Sequence, residues 1–210
     1  TLLGQYGMED IKPSRTPWPI GLTTLTQDDC PKDGEPRLDK PYPSLLGALL
    51  WVSRCTKPEI SFHVGICASF TSNPGVKHWN ALVHILRYIK ATMEEGIEFD
   101  AACPHPQVFC YADSDWNSLK LKGSRSLGGY VIFRLGGPVV WRVKQHHRAS
   151  GSTSVAEFYT LSHATEASQT IRNLMIDMNI YNYEPIEIMQ DNESCIRRAL
   201  NETKKSTTKF

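Results

Sequence analysis

One acidic strand end constrains the fold of this chain most, the run QVFCYADSDW at residues 107–116. In its first part Val108 and Cys110 alternate with aromatic residues, which is the two-residue period of a β-strand. The run then becomes acidic, with Asp113 and Asp115. A sheet holds such a strand end rigidly, so that a carboxylate there can bind a hard divalent cation. Aspartate is also a frequent turn former, and the run by itself leaves a turn as the alternative.

Two further acidic residues follow on elements that can pack beside this strand. The downstream pattern predicts a hairpin of residues 130–135 and 139–143, turning at Gly136-Gly137-Pro138. A long helix at 153–178, capped by Ser152 or Thr153, a short strand at 186–190 and a short helix at 193–200 are predicted after it. Glu157 lies at the edge of the apolar stripe of the long helix, and Asp191 closes the fourth strand. Because the first and fourth strands can be neighbours and the helix can cross their sheet, we expect Asp113, Glu157 and Asp191 to converge. Asp115 is either an outer acid of that site or part of a turn.

The first hundred residues predict a small helical subdomain. Residues 13–43 are rich in Pro, Thr, Gly and Asp, which favours an extended connector. Three helices are predicted after it, the first capped by Ser44, at residues 45–54, 59–71 and 75–93. The third helix has a basic face, which either contacts a nucleic-acid backbone or is the polar side of an amphipathic helix. We expect the histidines of these helices to be surface residues and not ligands: His63, His78 and His84.

The charge of the chain is distributed unevenly. The formal net charge is +1, so composition alone does not indicate a nucleic-acid-binding protein. Residues 117–148, however, contain no Asp or Glu and carry Lys120, Lys122, Arg125, Arg134, Arg142, Lys144 and Arg148. This basic segment is either a solvated surface or a face that contacts phosphates. In the second case we expect the nucleic-acid-binding residues to be Lys120, Lys122, Arg125, Arg142 and Lys144.

The cysteines do not form a metal-binding motif. There are six, with no CxxC and no His/Cys spacing of the kind that binds zinc. Several lie in apolar runs, where a free cysteine behaves as a small hydrophobic residue. The sequence also shows no signal peptide and no apolar run long enough to cross a membrane. We therefore expect a reduced, intracellular protein.

Five runs of the second half occur in an order that resembles one known family: YADSDW, RSLGGYVIF, GGPVVWRVKQ, STSVAEFYTLSHATEA and QDNESCIRRAL. They resemble the RNase H domain of copia-type retrotransposon Pol polyproteins. The first half resembles the segment that precedes RNase H in the same polyproteins, through LLGQYGMEDIKPSRTP, YPSLLGALLWVSRCTKPEISFHVG and SNPGVKHWNALVHILRYIKAT. The resemblance implies an α/β fold, with an RNase H-like mixed sheet flanked by helices and preceded by a small helical subdomain. It implies a helical connection segment following the reverse transcriptase at residues 1–100, and an RNase H-like domain, incomplete at its C-terminus, at residues 101–210.

The resemblance also implies a function. Such domains hydrolyse the RNA strand of RNA–DNA hybrids during reverse transcription with two Mg²⁺ ions, for which Mn²⁺ can substitute; one ion activates the attacking water and the other stabilises the leaving oxygen. Matched motif by motif, the catalytic and metal-binding residues are Asp113, Glu157 and Asp191. The implied partners are an RNA–DNA hybrid and the upstream reverse-transcriptase domain of the same polyprotein, and no membrane is implied. The implied location is intracellular, in cytoplasmic virus-like particles and in the nucleus. The alternative is a catalytically inactive remnant that binds nucleic acid or has a structural role.

Several positions depart from the family pattern. Val155 stands where a glutamate is usual, and Leu127 and Gly128 replace small hydroxyl residues. The chain begins without a methionine, and Phe210 occupies the place of a histidine two residues before the family's fourth carboxylate. We therefore expect a fragment of a longer polypeptide that lacks the fifth strand and last helix, and that has little or no nuclease activity by itself.

Overall fold

The computed structural model of the chain describes residues 1–22, 24–103, 107–115, 126–146, 152–180 and 184–200. These residues form two compact units, one within Thr1–Glu98 and the other from Phe99 onward. Among them, no helix combines the length and the apolar character that crossing a bilayer requires. Each unit has its own core and is described by itself.

The first unit is helical. Its helices are α1 (Leu2–Gln5), α2 (Tyr42–Cys55), α3 (Ser61–Ala68) and α4 (Val76–Ala91), with 3₁₀ turns at Gln27–Asp29 and Pro58–Ile60. The core is built from apolar residues at helical spacing, among them Leu45, Leu49, Val64, Leu82 and Leu86. The predicted cap at Ser44 is wrong, because α2 begins two residues earlier with a proline in its first turn, a position that needs no backbone N–H donor.

The basic face of α4 binds the chain's own N-terminal segment. Arg87 Nε donates a hydrogen bond to the carbonyl oxygen of Lys12 at 2.7 Å. Lys90 Nζ donates to the carbonyl oxygens of Glu9 and Ile11, at 2.6 and 3.0 Å. An extended segment cannot satisfy its own carbonyls, and these side chains satisfy them instead. These basic residues therefore help to pack the unit, in agreement with the interpretation of this face as the polar side of an amphipathic helix.

Buried polar side chains hold both ends of α4. At its N-terminus His78 Nδ1 accepts a hydrogen bond from the Gly75 backbone N–H at 2.9 Å. His78 is fully buried, so its predicted surface location is wrong. Its ring supplies the capping group of α4, whose N-cap residue, Gly75, has no side chain to do so. Past the C-terminus of α4, Lys57 Nζ donates to the carbonyl oxygens of Thr92 and Glu95, at 2.7 and 2.8 Å. A cation at this end also complements the helix dipole.

The second unit is a four-stranded mixed sheet with helices against it. Its strands are β1 (Phe109–Asp115), β2 (Leu127–Arg134), β3 (Gly137–Gln145) and β4 (Glu187–Met189), in the order β3-β2-β1-β4. The first three pair antiparallel, and β4 pairs parallel to β1. The predicted α/β architecture is confirmed. The hairpin turns at Leu135-Gly136 and not at Gly136-Gly137-Pro138, because these two residues adopt the positive φ values, 49° and 78°, of a tight hairpin turn.

A long helix, α5 (Thr153–Asp177), packs on one face of this sheet, and a short one, α6 (Glu193–Ala199), follows β4. Ser152 caps α5 as predicted, accepting a hydrogen bond from the Val155 N–H. The core between sheet and helix contains Cys110, Ala112, Ile132, Ala164 and Met175.

Gly128 explains one departure from the family pattern. It lies on β2 close to α5, and a methyl group there would overlap Thr160 Oγ1 and His146 Nε2. Those two atoms are 3.1 Å apart and share a buried hydrogen bond. Residue 128 therefore has to be glycine in this chain, because any side chain would displace the bond that joins the end of β3 to α5.

Candidate metal-binding site

The register of β1 and β4 places two aspartates side by side. Tyr111 of β1 pairs with Met189 of β4 in parallel. Two residues further along the chain are Asp113 on β1 and Asp191 just beyond β4. Since parallel strands advance together, both carboxylates reach the same edge of the sheet, and both residues are exposed there. The sheet thus brings together two acids that are separated by most of the domain in sequence.

Glu157 brings the third carboxylate to this edge. It lies in the first turns of α5, on the side that faces the sheet, and is only 4% exposed. One carboxylate oxygen from each of Asp113, Glu157 and Asp191 lies within 4.8 Å of the others. Three hard oxygen donors at this separation are a suitable ligand set for a divalent cation such as Mg²⁺ or Mn²⁺. The structure therefore brings together the three acids that the sequence singled out.

The electrostatics of Glu157 fit a cation. The pKa of its carboxyl group is raised to about 7, chiefly by burial and also by the neighbouring charges of Asp113 and Asp191. Hydrogen bonds from Gln190 and from the Ser114 backbone N–H act in the opposite direction. Three carboxylates so close together repel each other when all are ionised. A divalent cation among them would remove that repulsion.

Asp115 stands apart from the three. It is the last residue of β1, half-buried and paired in register with Leu127. The turn interpretation is therefore wrong, because β1 continues through Asp113 and Ser114 to this residue. Within the described part of the chain, the acidic cluster consists of Asp113, Glu157 and Asp191, without Asp115.

Sequence reasoning missed Gln190. Its side chain lies between β1 and α5, where it contacts Ala112 and Glu157. A glutamine one position before a strand-end aspartate has no signature in a single sequence. The only available signal was its position directly before Asp191.

Two of the five predicted nucleic-acid-binding residues lie in the described structure. Arg142 and Lys144 are on β3, paired with Tyr130 and Gly128 of β2. Arg142 is exposed and Lys144 half-buried. Both line a cleft with His146, Thr160 and His163, and Thr160 is three residues, roughly one helical turn, after Glu157. Lys120, Lys122 and Arg125 lie outside the described residues.

A mixed sheet in this strand order, with a long helix packed on it and an acidic cluster at the end of β1, is an RNase H-like fold. The chain is 27% identical over 211 residues to the retrovirus-related Pol polyprotein from transposon TNT 1-94 of Nicotiana tabacum, covering 99% of this chain and 16% of the polyprotein. It is 27% identical over 193 residues to that from transposon RE2 of Arabidopsis thaliana, covering 91% of this chain and 13% of the polyprotein. It is 35% identical over 126 residues to secreted RxLR effector protein 161 of Plasmopara viticola, covering 60% of this chain and 87% of that protein.

The chain is thus similar over most of its length to copia-type retrovirus-related Pol polyproteins from transposons, and the predicted resemblance is confirmed. It spans about a sixth of the tobacco polyprotein's length. No family model matches the chain. No solved structure matches it significantly.

Proposed function

We propose that the second unit is the RNase H domain of a retrotransposon Pol polyprotein, hydrolysing the RNA strand of RNA–DNA hybrids with divalent cations. The observation that carries this proposal is the cluster of three carboxylates within 4.8 Å at the β1–β4 edge of an RNase H-like sheet. Asp113, Glu157 and Asp191 would hold the cations. When bound, Mg²⁺ or Mn²⁺ would supply charge neutralisation at the scissile phosphate and an acidified water.

The chain's own residues have separable roles in this proposal. Asp113 and Asp191 are exposed and can be reached by a phosphate and its water. Glu157 is buried on the side of α5 that faces the sheet, so its carboxylate keeps a fixed direction toward the site. Arg142 and Lys144 would attract the nucleic-acid backbone, together with Lys120, Lys122 and Arg125 of the basic segment. An RNA–DNA hybrid is the proposed ligand.

The first unit would serve as the connection between this domain and the reverse transcriptase of the same polyprotein. Its basic helix face is bound to its own N-terminal segment. The proposed sites of action are the cytoplasmic virus-like particle and the nucleus, which are the places where reverse transcription and its product would require the domain.

Cleavage of a labelled RNA–DNA hybrid tests this function. The full chain is incubated with Mg²⁺ or Mn²⁺, with a DNA duplex of the same sequence as the substrate control. Any cleavage by this site should fall on the RNA strand alone and should be lost in Asp113→Asn and in Glu157→Gln. Isothermal titration with Mn²⁺ measures cation binding separately. Cleavage that persists in both variants would place the active site elsewhere.

A second candidate is a remnant that binds hybrid nucleic acid without cutting it. The Plasmopara viticola relative favours it, because that protein aligns over 87% of its own length under a name other than Pol polyprotein. Hybrid binding that falls steeply with salt, in a chain that binds Mn²⁺ but leaves the RNA intact, would support the second candidate over the first.

A further inference from the structure

The side chain of Gln190 connects three separate elements of the second unit. Its Nε2 donates to Glu157 Oε2 on α5 at 3.2 Å and to the carbonyl oxygen of Ala112 on β1 at 3.3 Å. Its Oε1 accepts from the backbone N–H of Asn192, the cap of α6, at 2.9 Å. Both ends of the amide are therefore engaged, which fixes its orientation as well as its position.

We propose that Gln190 is the positioning residue of the acidic cluster, holding the Glu157 carboxylate beside Asp113 and Asp191 in the arrangement that binds a divalent cation. This inference rests on the proposed function. Glutamate has three side-chain torsions and samples many rotamers unless its carboxylate is held. The side chain of Gln190 holds the Glu157 carboxylate, and its backbone leads directly into Asp191. One residue therefore aligns two of the proposed ligands, Glu157 and Asp191.

The chemistry of an amide suits this position. A lysine at residue 190 would bring a positive charge that repels the cation, and a glutamate would add a fourth negative charge without a donor for Glu157. An apolar residue would leave the Ala112 carbonyl oxygen without this donor. Glutamine supplies two N–H donors and no net charge, so it orients Glu157 and leaves the cluster's negative charge available to a metal.

Mn²⁺ binding to the full chain tests the proposal. The Gln190→Met variant keeps the side-chain length and removes both donors. Loss of a hydrogen-bonding partner behind a metal ligand typically weakens metal affinity by about 10–100-fold, and we expect a loss in this range by isothermal titration. Gln145→Met is the matched control, since Gln145 is also a half-buried glutamine at a strand end, on β3. It should bind Mn²⁺ as the unchanged chain does.

A metal-free crystal structure of Gln190→Met separates positioning from a general loss of stability. We expect the Glu157 carboxylate to leave the cluster, beyond the 4.8 Å that now joins it to the two aspartates, with the sheet and α5 unchanged. Where Gln190→Met does not fold, Gln190→Asn retains the amide on a shorter arm, and the same loss of affinity and the same displacement are expected.

Unchanged Mn²⁺ affinity in the folded variant overturns the proposal, whether or not Glu157 moves. If the unchanged chain binds no Mn²⁺, the proposed function fails instead. The position of Glu157 in the metal-free variant then still decides whether Gln190 holds it, because a carboxylate that stays in place without the amide is not positioned by it.

Discussion

The two units treat a buried charge in opposite ways. In the first unit Lys57 is 8% exposed and donates hydrogen bonds to the carbonyl oxygens of Thr92 and Glu95. In the second unit Glu157 is 4% exposed and shares its surroundings with two further carboxylates. A buried charge with matching partners holds a structure together, whereas one that faces like charges costs stability and marks a functional site. The first unit thus satisfies its charges internally, and the second leaves a negative cluster for a ligand to neutralise.

The strongest way to break this comparison is to remove an exposed acid of the cluster. Asp113→Asn deletes a proposed direct ligand, so Mn²⁺ affinity should fall by more than the roughly 10–100-fold that loss of an outer partner costs. The same change removes repulsion from Glu157, and the metal-free chain should therefore become more stable to denaturant. Asp115→Asn, two residues along β1, is the control and should retain Mn²⁺ binding. A destabilised Asp113→Asn chain would show that the cluster is not strained by its own charge.

The pH dependence of stability sharpens the same contrast. The pKa of Glu157 is raised from its ordinary value of 4.5 to about 7, chiefly by burial. Between these two pH values the folded chain keeps a proton that the unfolded chain has lost. The metal-free protein should therefore lose about 3 kcal/mol of unfolding free energy as pH rises through this window, from the pKa shift alone. Urea unfolding across this pH range gives the unfolding free energy of the unchanged chain and of Glu157→Gln. The difference between the two curves measures the contribution of Glu157.

Two further outcomes bear on that measurement. Subtracting the Glu157→Gln curve removes the contribution of the buried histidines, whose lowered pKa values act in the opposite direction. Saturating Mn²⁺ should recover the lost stability at pH 7, because the cation neutralises the ionised cluster. A difference curve that is flat between pH 4.5 and 7 would mean that Glu157 ionises in the folded chain as readily as in water.

Lys57→Met tests the opposite case in the first unit. The variant keeps the apolar stem but removes the ammonium that satisfies two carbonyls beyond α4, so unfolding free energy should fall by about 2 kcal/mol. Lys77→Met is the matched control, because Lys77 is 68% exposed in its ion pair with Asp29 and should contribute at most about 1 kcal/mol. An equal effect of the two substitutions would remove the distinction between buried and exposed lysines.

The sequence predicted the parts of the site that depend on periodicity and order. Alternation identified β1, helical spacing identified α5, and the order of elements made neighbours of β1 and β4. The acids therefore converge as expected, because pairing and packing leave few alternatives once those elements are correct. Turn and cap positions were less accurate, as at Leu135 and Ser44, because one residue's φ angle or one proline decides them locally.

Individual side-chain contacts could not be predicted from the sequence. Nothing in a single chain pairs Gln190 with Glu157, or Gly128 with Thr160, because each contact depends on how closely an α5 turn approaches the sheet. His78 was expected on the surface as an ordinary polar helix residue, yet its ring is buried and closes the first turn of α4. Packing and side-chain hydrogen bonds override the local pattern at such positions.

The smallest expected effect concerns the cations of the two units. Each phosphate contact contributes about 0.9 to the slope of log affinity against log salt, so Arg142→Ala should lower the slope for hybrid binding by about one. Arg87→Ala is the control: Arg87 donates to the Lys12 carbonyl oxygen, so its loss should reduce stability and leave the slope unchanged. Fluorescence anisotropy with a labelled hybrid, across a salt series, measures both variants. An unchanged slope in Arg142→Ala would show that Arg142 is part of a solvated surface, because a cation that touches no phosphate releases no counterion.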